Sequence, residues 1–192
     1  MSTTVKFTNY FGSELITYQL ESISSYYKTF FEDIIPIKKE RYENNELVNT
    51  SYFVSSIEAI NDILLIEPNS SFDYRYIQNN FNIKESLAYQ SNFLVDRFVS
   101  VYDNDGKVIC FRKYDIQNEV TTINTTEKYY YIYGKLKYTF DYKSDGSCFI
   151  IIDEQDFQSD IYAWGIGDTD YTDFTWPGFE YYEFAEPLIP NN

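Results

Sequence analysis

Residues 136–152 read Leu136-Lys137-Tyr138-Thr139-Phe140-Asp141-Tyr142-Lys143-Ser144-Asp145-Gly146-Ser147-Cys148-Phe149-Ile150-Ile151-Ile152. In an extended chain Leu136, Tyr138, Phe140 and Tyr142 share one side, and Lys137, Thr139 and Asp141 the other. That alternation predicts a strand with one packed face and one wet face. Asp145-Gly146 follows, and Gly tolerates the positive φ that hairpin turns demand. The stretch is therefore expected to be a hairpin, with 136–142 paired to 147–152.

Working outward, two more segments have the same form. Residues 93–102 and 107–114 flank Asp103-Asn104-Asp105-Gly106, and a segment from 34 to 54 turns at Asn44-Asn45. Asp103–Gly106 is not an EF-hand loop. The flanking positions that should supply ligands hold Val101 and Arg112. Residues 14–20 alternate like a strand, with Ile16, Tyr18 and Leu20 on one side. Ser55-Ser56-Ile57-Glu58 and Asn82-Ile83-Lys84-Glu85 fit the capping box, in which side chains satisfy the free amides of a helix start. Apolar residues follow each at helical spacing: Ile57, Ile60 and Leu64 after the first, Ile83 and Leu87 after the second. The expected fold is α+β, predominantly antiparallel β-sheet built from hairpins, with two short helices.

Composition agrees with a β-rich chain. There are 21 Tyr and 16 Phe but 1 Met among 192 residues, and aromatic residues suit half-buried pleated surfaces. A chain of this length is expected to form a single domain, 1–192. Within it, 1–143 reads as a hairpin-rich body of mixed charge. Residues 144–192 read as the last strand plus an acidic aromatic segment packed on that body. Cys110 and Cys148 lie in apolar runs and are expected to be buried free thiols. The first residues lack a basic-then-apolar signal, and no apolar stretch reaches membrane-spanning length. A cytoplasmic location is therefore expected.

The charge of −15 is unevenly placed. Residues 1–143 hold all 15 basic residues and 19 acidic ones, a net of −4. Residues 144–192 hold 11 acidic residues and no Lys or Arg. Here carboxylates interleave with rings, as in Asp168-Thr169-Asp170-Tyr171-Thr172-Asp173 and Glu180-Tyr181-Tyr182-Glu183. A solvating tail would be poor in aromatics, so an ordered surface is expected.

Histidine is absent, which removes Ser–His and Cys–His catalytic pairs and histidine-bound zinc. Gly165-Ile166-Gly167 is followed by Asp168 and Asp170, which would put carboxylates where phosphate should sit. No catalytic residue, cofactor or metal site is assigned. The acidic balance also disfavours direct binding to nucleic acid or to anionic membranes.

A negative field with aromatic anchors suits a basic protein partner, since charge steers encounter and rigid rings fill the desolvated centre. The candidate partner-binding residues are Asp168, Asp170, Tyr171, Asp173, Trp176, Glu180, Tyr181, Tyr182 and Glu183. In physical character the chain is similar to bacterial immunity proteins that occlude cationic toxin or nuclease domains. An acidic inhibitor of that kind is the expectation. One alternative is a carboxylate-dependent carbohydrate-active enzyme or sugar-binding module, with Trp164 or Trp176 stacked on a sugar ring. A further alternative is a self-assembling structural protein that pairs tyrosine-rich edge strands between copies.

Overall fold

The computed structural model describes residues 2–117, 120–156 and 160–191. Its strands are β1 (Thr3–Thr8), β2 (Glu14–Leu15), β3 (Ser25–Glu32), β4 (Ile35–Glu43), β5 (Glu46–Val54), β6 (Ser71–Gln78), β7 (Phe81–Gln90), β8 (Phe93–Tyr102), β9 (Val108–Gln117), β10 (Val120–Ile132), β11 (Lys135–Tyr142), β12 (Cys148–Asp153) and β13 (Ile161–Tyr162). The α-helices are α1 (Ile57–Leu64) and α2 (Glu180–Glu183), and short 3-10 turns span Thr17–Ser22 and Ala163–Gly165. The protein is thus mostly β-sheet with few short helices.

Contacts divide the chain into two compact units, residues 1–75 with 85–96 and residues 76–84 with 97–192. The chain passes between them inside β6, β7 and β8. In the first unit the strand order runs β2-β1-β3-β4-β5 and in the second β9-β10-β11-β12-β13, with β6, β7 and β8 each divided between them.

Tight turns account for the strand order. Asn44-Asn45, Asn79-Asn80, Ser91-Asn92 and Tyr133-Gly134 all have both residues at positive φ, between 49° and 79°. Two consecutive left-handed residues make the turn whose twist matches that of paired strands. The β8–β9 and β11–β12 hairpins use a longer turn closed by Gly106 or Gly146, at φ 78° and 83°. In the first of these the Asp103 carboxylate accepts the N–H groups of Asp105 and Lys107, at 2.9 and 2.8 Å.

The sheet is mixed, because β5 and β6 run parallel, Ser51 opposite Ser71 through Val54 opposite Tyr74. Parallel neighbours need a crossover, and α1 supplies it. Ser56 caps this helix by accepting the Ala59 N–H at 3.2 Å, so the cap is Ser56 and not Ser55. Ile60 and Leu64 then bury against Phe72, with Tyr52 stacked on Phe72 at 5.9 Å.

Two sequence expectations are corrected. Residues 82–87 are strand, within β7, and not helix. Ile83 and Leu87 are four apart, which fits both one helical face and one strand face. Phe81 and Tyr89 extend the period of two, and the Asn79-Asn80 turn forces the chain back on itself. Residues 14–20 form only a two-residue strand followed by a 3-10 turn. The Gln19 side chain accepts the Ile16 N–H at 3.0 Å and draws the chain out of extension. Cys110 and Cys148 are both free and buried.

Asn80 tests the turn assignment. At its φ of 67°, Asn80→Gly should be neutral or stabilising, and Asn80→Val should cost about 1–2 kcal/mol in chemical denaturation. Equal midpoints for the two variants would contradict a left-handed turn there.

Candidate interaction surface

Residues directly opposite one another in adjacent strands share a face. One such row crosses the second unit: Val101, Cys110, Lys128, Phe140, Ile151 and Ile161, each opposite the next. Cys110, Lys128, Phe140 and Ile151 in this row are each fully buried, at 0% exposure. The C-terminal residues cover this row. Phe174 is buried with Phe140, Cys148 and Ile151, and Trp176, Phe179 and Tyr182 pack against them. Tyr182 stacks on Phe140 at 4.6 Å, while Phe174 meets Trp176 edge-on at 5.4 Å.

A lysine at the centre of an apolar row needs acceptors, because an unpaired buried ammonium is very costly. Lys128 Nζ donates to the carbonyls of Tyr181 and Phe184, at 2.6 and 2.7 Å. It also lies 3.9 Å from the centre of the Tyr181 ring. Those carbonyls lie at the C-terminal end of α2, where the helix leaves acceptors unused. One strand over, Arg112 is 3% exposed. Its Nε donates to Thr126 Oγ1 at 2.8 Å, Nη2 to the Ala185 carbonyl at 3.3 Å, and Nη1 to the Glu186 carboxylate. Two buried cations therefore hold residues 181–186. The Ala185 N–H closes the segment onto the Gly146 carbonyl at 2.8 Å.

This packing sorts the nine sequence-nominated residues. Asp168, Asp170, Tyr171, Asp173 and Glu180 are exposed, and Glu183 is half-buried. Trp176, Tyr181 and Tyr182 turn their rings toward the sheet. The Tyr181 hydroxyl donates to the Leu188 carbonyl at 2.6 Å. Glu180 accepts the Gly178 N–H, which holds its carboxyl below the usual range.

The exposed aromatic surface joins Tyr171, one of the nine, to Trp164, which the sequence offered only as a sugar-stacking ring, and to Tyr162, which it did not single out. Trp164 is 79% exposed. Its indole stacks on Tyr171 at 5.2 Å and 25°, and on Tyr162 at 6.5 Å and 24°; Phe149 meets Tyr162 edge-on. Tyr171 is fixed from two sides. Its hydroxyl accepts the Tyr162 N–H at 2.9 Å. Its ring lies so close over Gly165 that a Cβ there would come within 2.2 Å of it. Backbone hydrogen bonds from Asp168 to Gly165, and from Tyr171 and Thr172 to Asp168, place Asp168 and Asp170 in the same tight turn. The available signal was Tyr162-Ala163-Trp164-Gly165, two rings at strand spacing beside the one residue that lets a ring lie flat on the backbone.

Beside this platform is a shallow depression of about 480 Å³, lined by Tyr138, Asp153, Ile161, Asp173, Phe174 and Phe179. Burial raises the Asp153 carboxyl, but the 2.5 Å hydrogen bond and charge of Lys137 together with the N–H groups of Gln155 and Asp156 outweigh that and hold it low. A glycosidase acid needs the opposite, a carboxyl held protonated.

Two outcomes follow for this surface. Gly165→Ala should displace Tyr171 and expose the Tyr162 N–H, read as faster amide exchange there with the β9–β12 amides unchanged. For Lys128, burial pushes the ammonium down to about 8 from 10.5. The unfolded chain then binds the extra proton between those values, so stability from this group rises with pH across that window. Burial pushes the Cys110 and Cys148 thiols up to about 11 and about 12 from 9.0, and it also raises Tyr142, Tyr181 and Tyr182. These groups lose stability above about pH 9. Denaturation midpoints should rise from about pH 7.5 to about 9 and then turn over, and Lys128→Met should remove the rise while keeping the turnover.

Among the described residues no helix is long and apolar enough to cross a membrane. No family model, curated protein or solved structure matches the chain.

Proposed function

We propose that this chain is an acidic protein-binding or inhibitor protein of the cytoplasm that docks a basic protein partner on the aromatic platform and carboxylates of residues 160–180. The version favoured is an immunity-type protein that neutralises a cationic toxin or nuclease domain. One observation carries the reading: Trp164, 79% exposed, is held on a fixed support in the same turn as the exposed Asp168 and Asp170.

The physical case has two parts. Exposed carboxylates in a stretch without Lys or Arg present a field that no cation of that stretch neutralises, and such a field speeds encounter with a basic surface. A rigid Trp then supplies contact area at little entropic cost, the usual character of an interface hot spot. Tyr162 and Tyr171 stiffen it before any partner arrives.

A sugar-binding role is the second reading, because a flat exposed indole also suits the apolar face of a sugar ring. The lowered Asp153 in the adjacent depression weighs against hydrolysis there. Self-assembly through the terminal strand of the second unit has little support, because β13 is two residues long.

The test is affinity capture from the native host at about 0.05 M and about 0.5 M salt, a range over which screening shortens severalfold. A basic protein captured only at low salt is expected. Asp168→Asn, Asp170→Asn and Asp173→Asn together should weaken binding at least about tenfold, mainly through slower association. Capture indifferent to salt and to the triple substitution would remove this surface from the mechanism.

A further inference from the structure

Half-buried rings on the strands of this protein are repeatedly capped by a cation. Lys39 lies 3.9 Å from the Tyr27 ring centre, Lys28 4.7 Å from Phe30, Arg97 4.7 Å from Tyr114, and Lys137 5.0 Å from Tyr138. The aromatic row that leads to the platform has one too, Lys143 at 5.9 Å from Phe149. Among the described residues Trp164 is one of the rings without such a cation, as are Tyr162 and Tyr171 beside it. An indole is the ring that attracts a cation most strongly, yet among the described residues no Lys or Arg lies over it. Residues 144–192 contain none to offer.

We propose that the platform takes an arginine side chain of the partner, with the guanidinium flat on Trp164 and its N–H groups on the carboxylates of Asp168 and Asp170. This rests on the reading of a basic partner and narrows it to one side chain. The geometry selects arginine over lysine. Tyr162 and Tyr171 each lie within about 25° of the Trp164 plane, so Trp164 presents a flat stacked face and not an angled cage. A spherical ammonium gains most from rings that surround it. A planar guanidinium stacks on one flat ring and still directs its edge N–H groups at carboxylates. One Asp168 oxygen accepts the Asp170 N–H at 3.0 Å, which fixes that carboxylate in the turn. No cation of residues 144–192 competes for either group.

The experiment follows the Trp164 indole N–H by NMR in the full chain, distinguished from that of Trp176 with Trp176→Phe. Two capped peptides of equal length and charge are titrated, one alternating arginine with glycine and the other lysine with glycine. The arginine peptide should bind at least about threefold tighter and shift the Trp164 signal. Trp164→Ala, at an exposed position, should keep the spectrum of the fold and erase the difference, leaving equal, weak, salt-sensitive binding of both peptides. Equal affinities in the unsubstituted protein would overturn the arginine assignment while leaving a basic partner in place. Silence toward both peptides, with a shift caused by a neutral glucan oligosaccharide, would overturn the arginine assignment and the basic-partner reading together.

Discussion

An ammonium group in the middle of an apolar row sets the terms for residues 97–192. Lys128 stands between Cys110 and Phe140, fully buried, and its charge has to be met on the covering side of the sheet. The Tyr181 and Phe184 carbonyls meet it, which fixes where α2 must end. Arg112, opposite Thr126, repeats the device on Ala185 and Glu186. Apolar burial supplies the driving force, at roughly 1.5–3 kcal/mol for each large side chain. The two cations choose among the ways the aromatic segment could lie down, because any other placement leaves a buried charge without acceptors.

From that anchoring comes the character of the outer surface. Phe174, Trp176, Phe179 and Tyr182 face Phe140 and Ile151, while Asp168, Asp170, Asp173 and Glu180 near them in the chain stay exposed. Acid thus gathers outside while rings gather inside. Trp164 departs from this division. It sits on Tyr171, which is itself seated on Gly165, so a large ring is held outward by contacts beneath it. A ring that is both exposed and fixed is better suited to recognition than to stability.

Much of the hairpin plan was legible in the sequence, since Asp-Gly and alternating aromatics carry their own geometry. Asn79-Asn80 was not read as a turn, and without it the four-residue spacing of Ile83 and Leu87 fits a helix as well as a strand. The parallel pairing of β5 and β6 depends on a crossover that no local pattern announces. In the acidic segment, exposed carboxylates were legible and ring directions were not. Trp176, Tyr181 and Tyr182 look the same in sequence whether they face a partner or Phe140. The role of Lys128 was the least legible of all, because a lysine beside Glu127 in a strand ordinarily reaches solvent. Only the row Cys110–Lys128–Phe140, formed when three successive strands pair, shows that it turns inward.

The ordered, inward-anchored state of the acidic segment is most directly measured by hydrogen exchange at the Ala185 amide. This N–H is donated to Gly146, in the turn between β11 and β12, and it lies between the two residues whose carbonyl and carboxylate meet Lys128 and Arg112. Exchange slowed at least about a hundredfold relative to an unstructured chain is expected, comparable to that at Phe140 and Ile151. Exchange at the unstructured rate at Ala185, with Phe140 and Ile151 still protected, would contradict it.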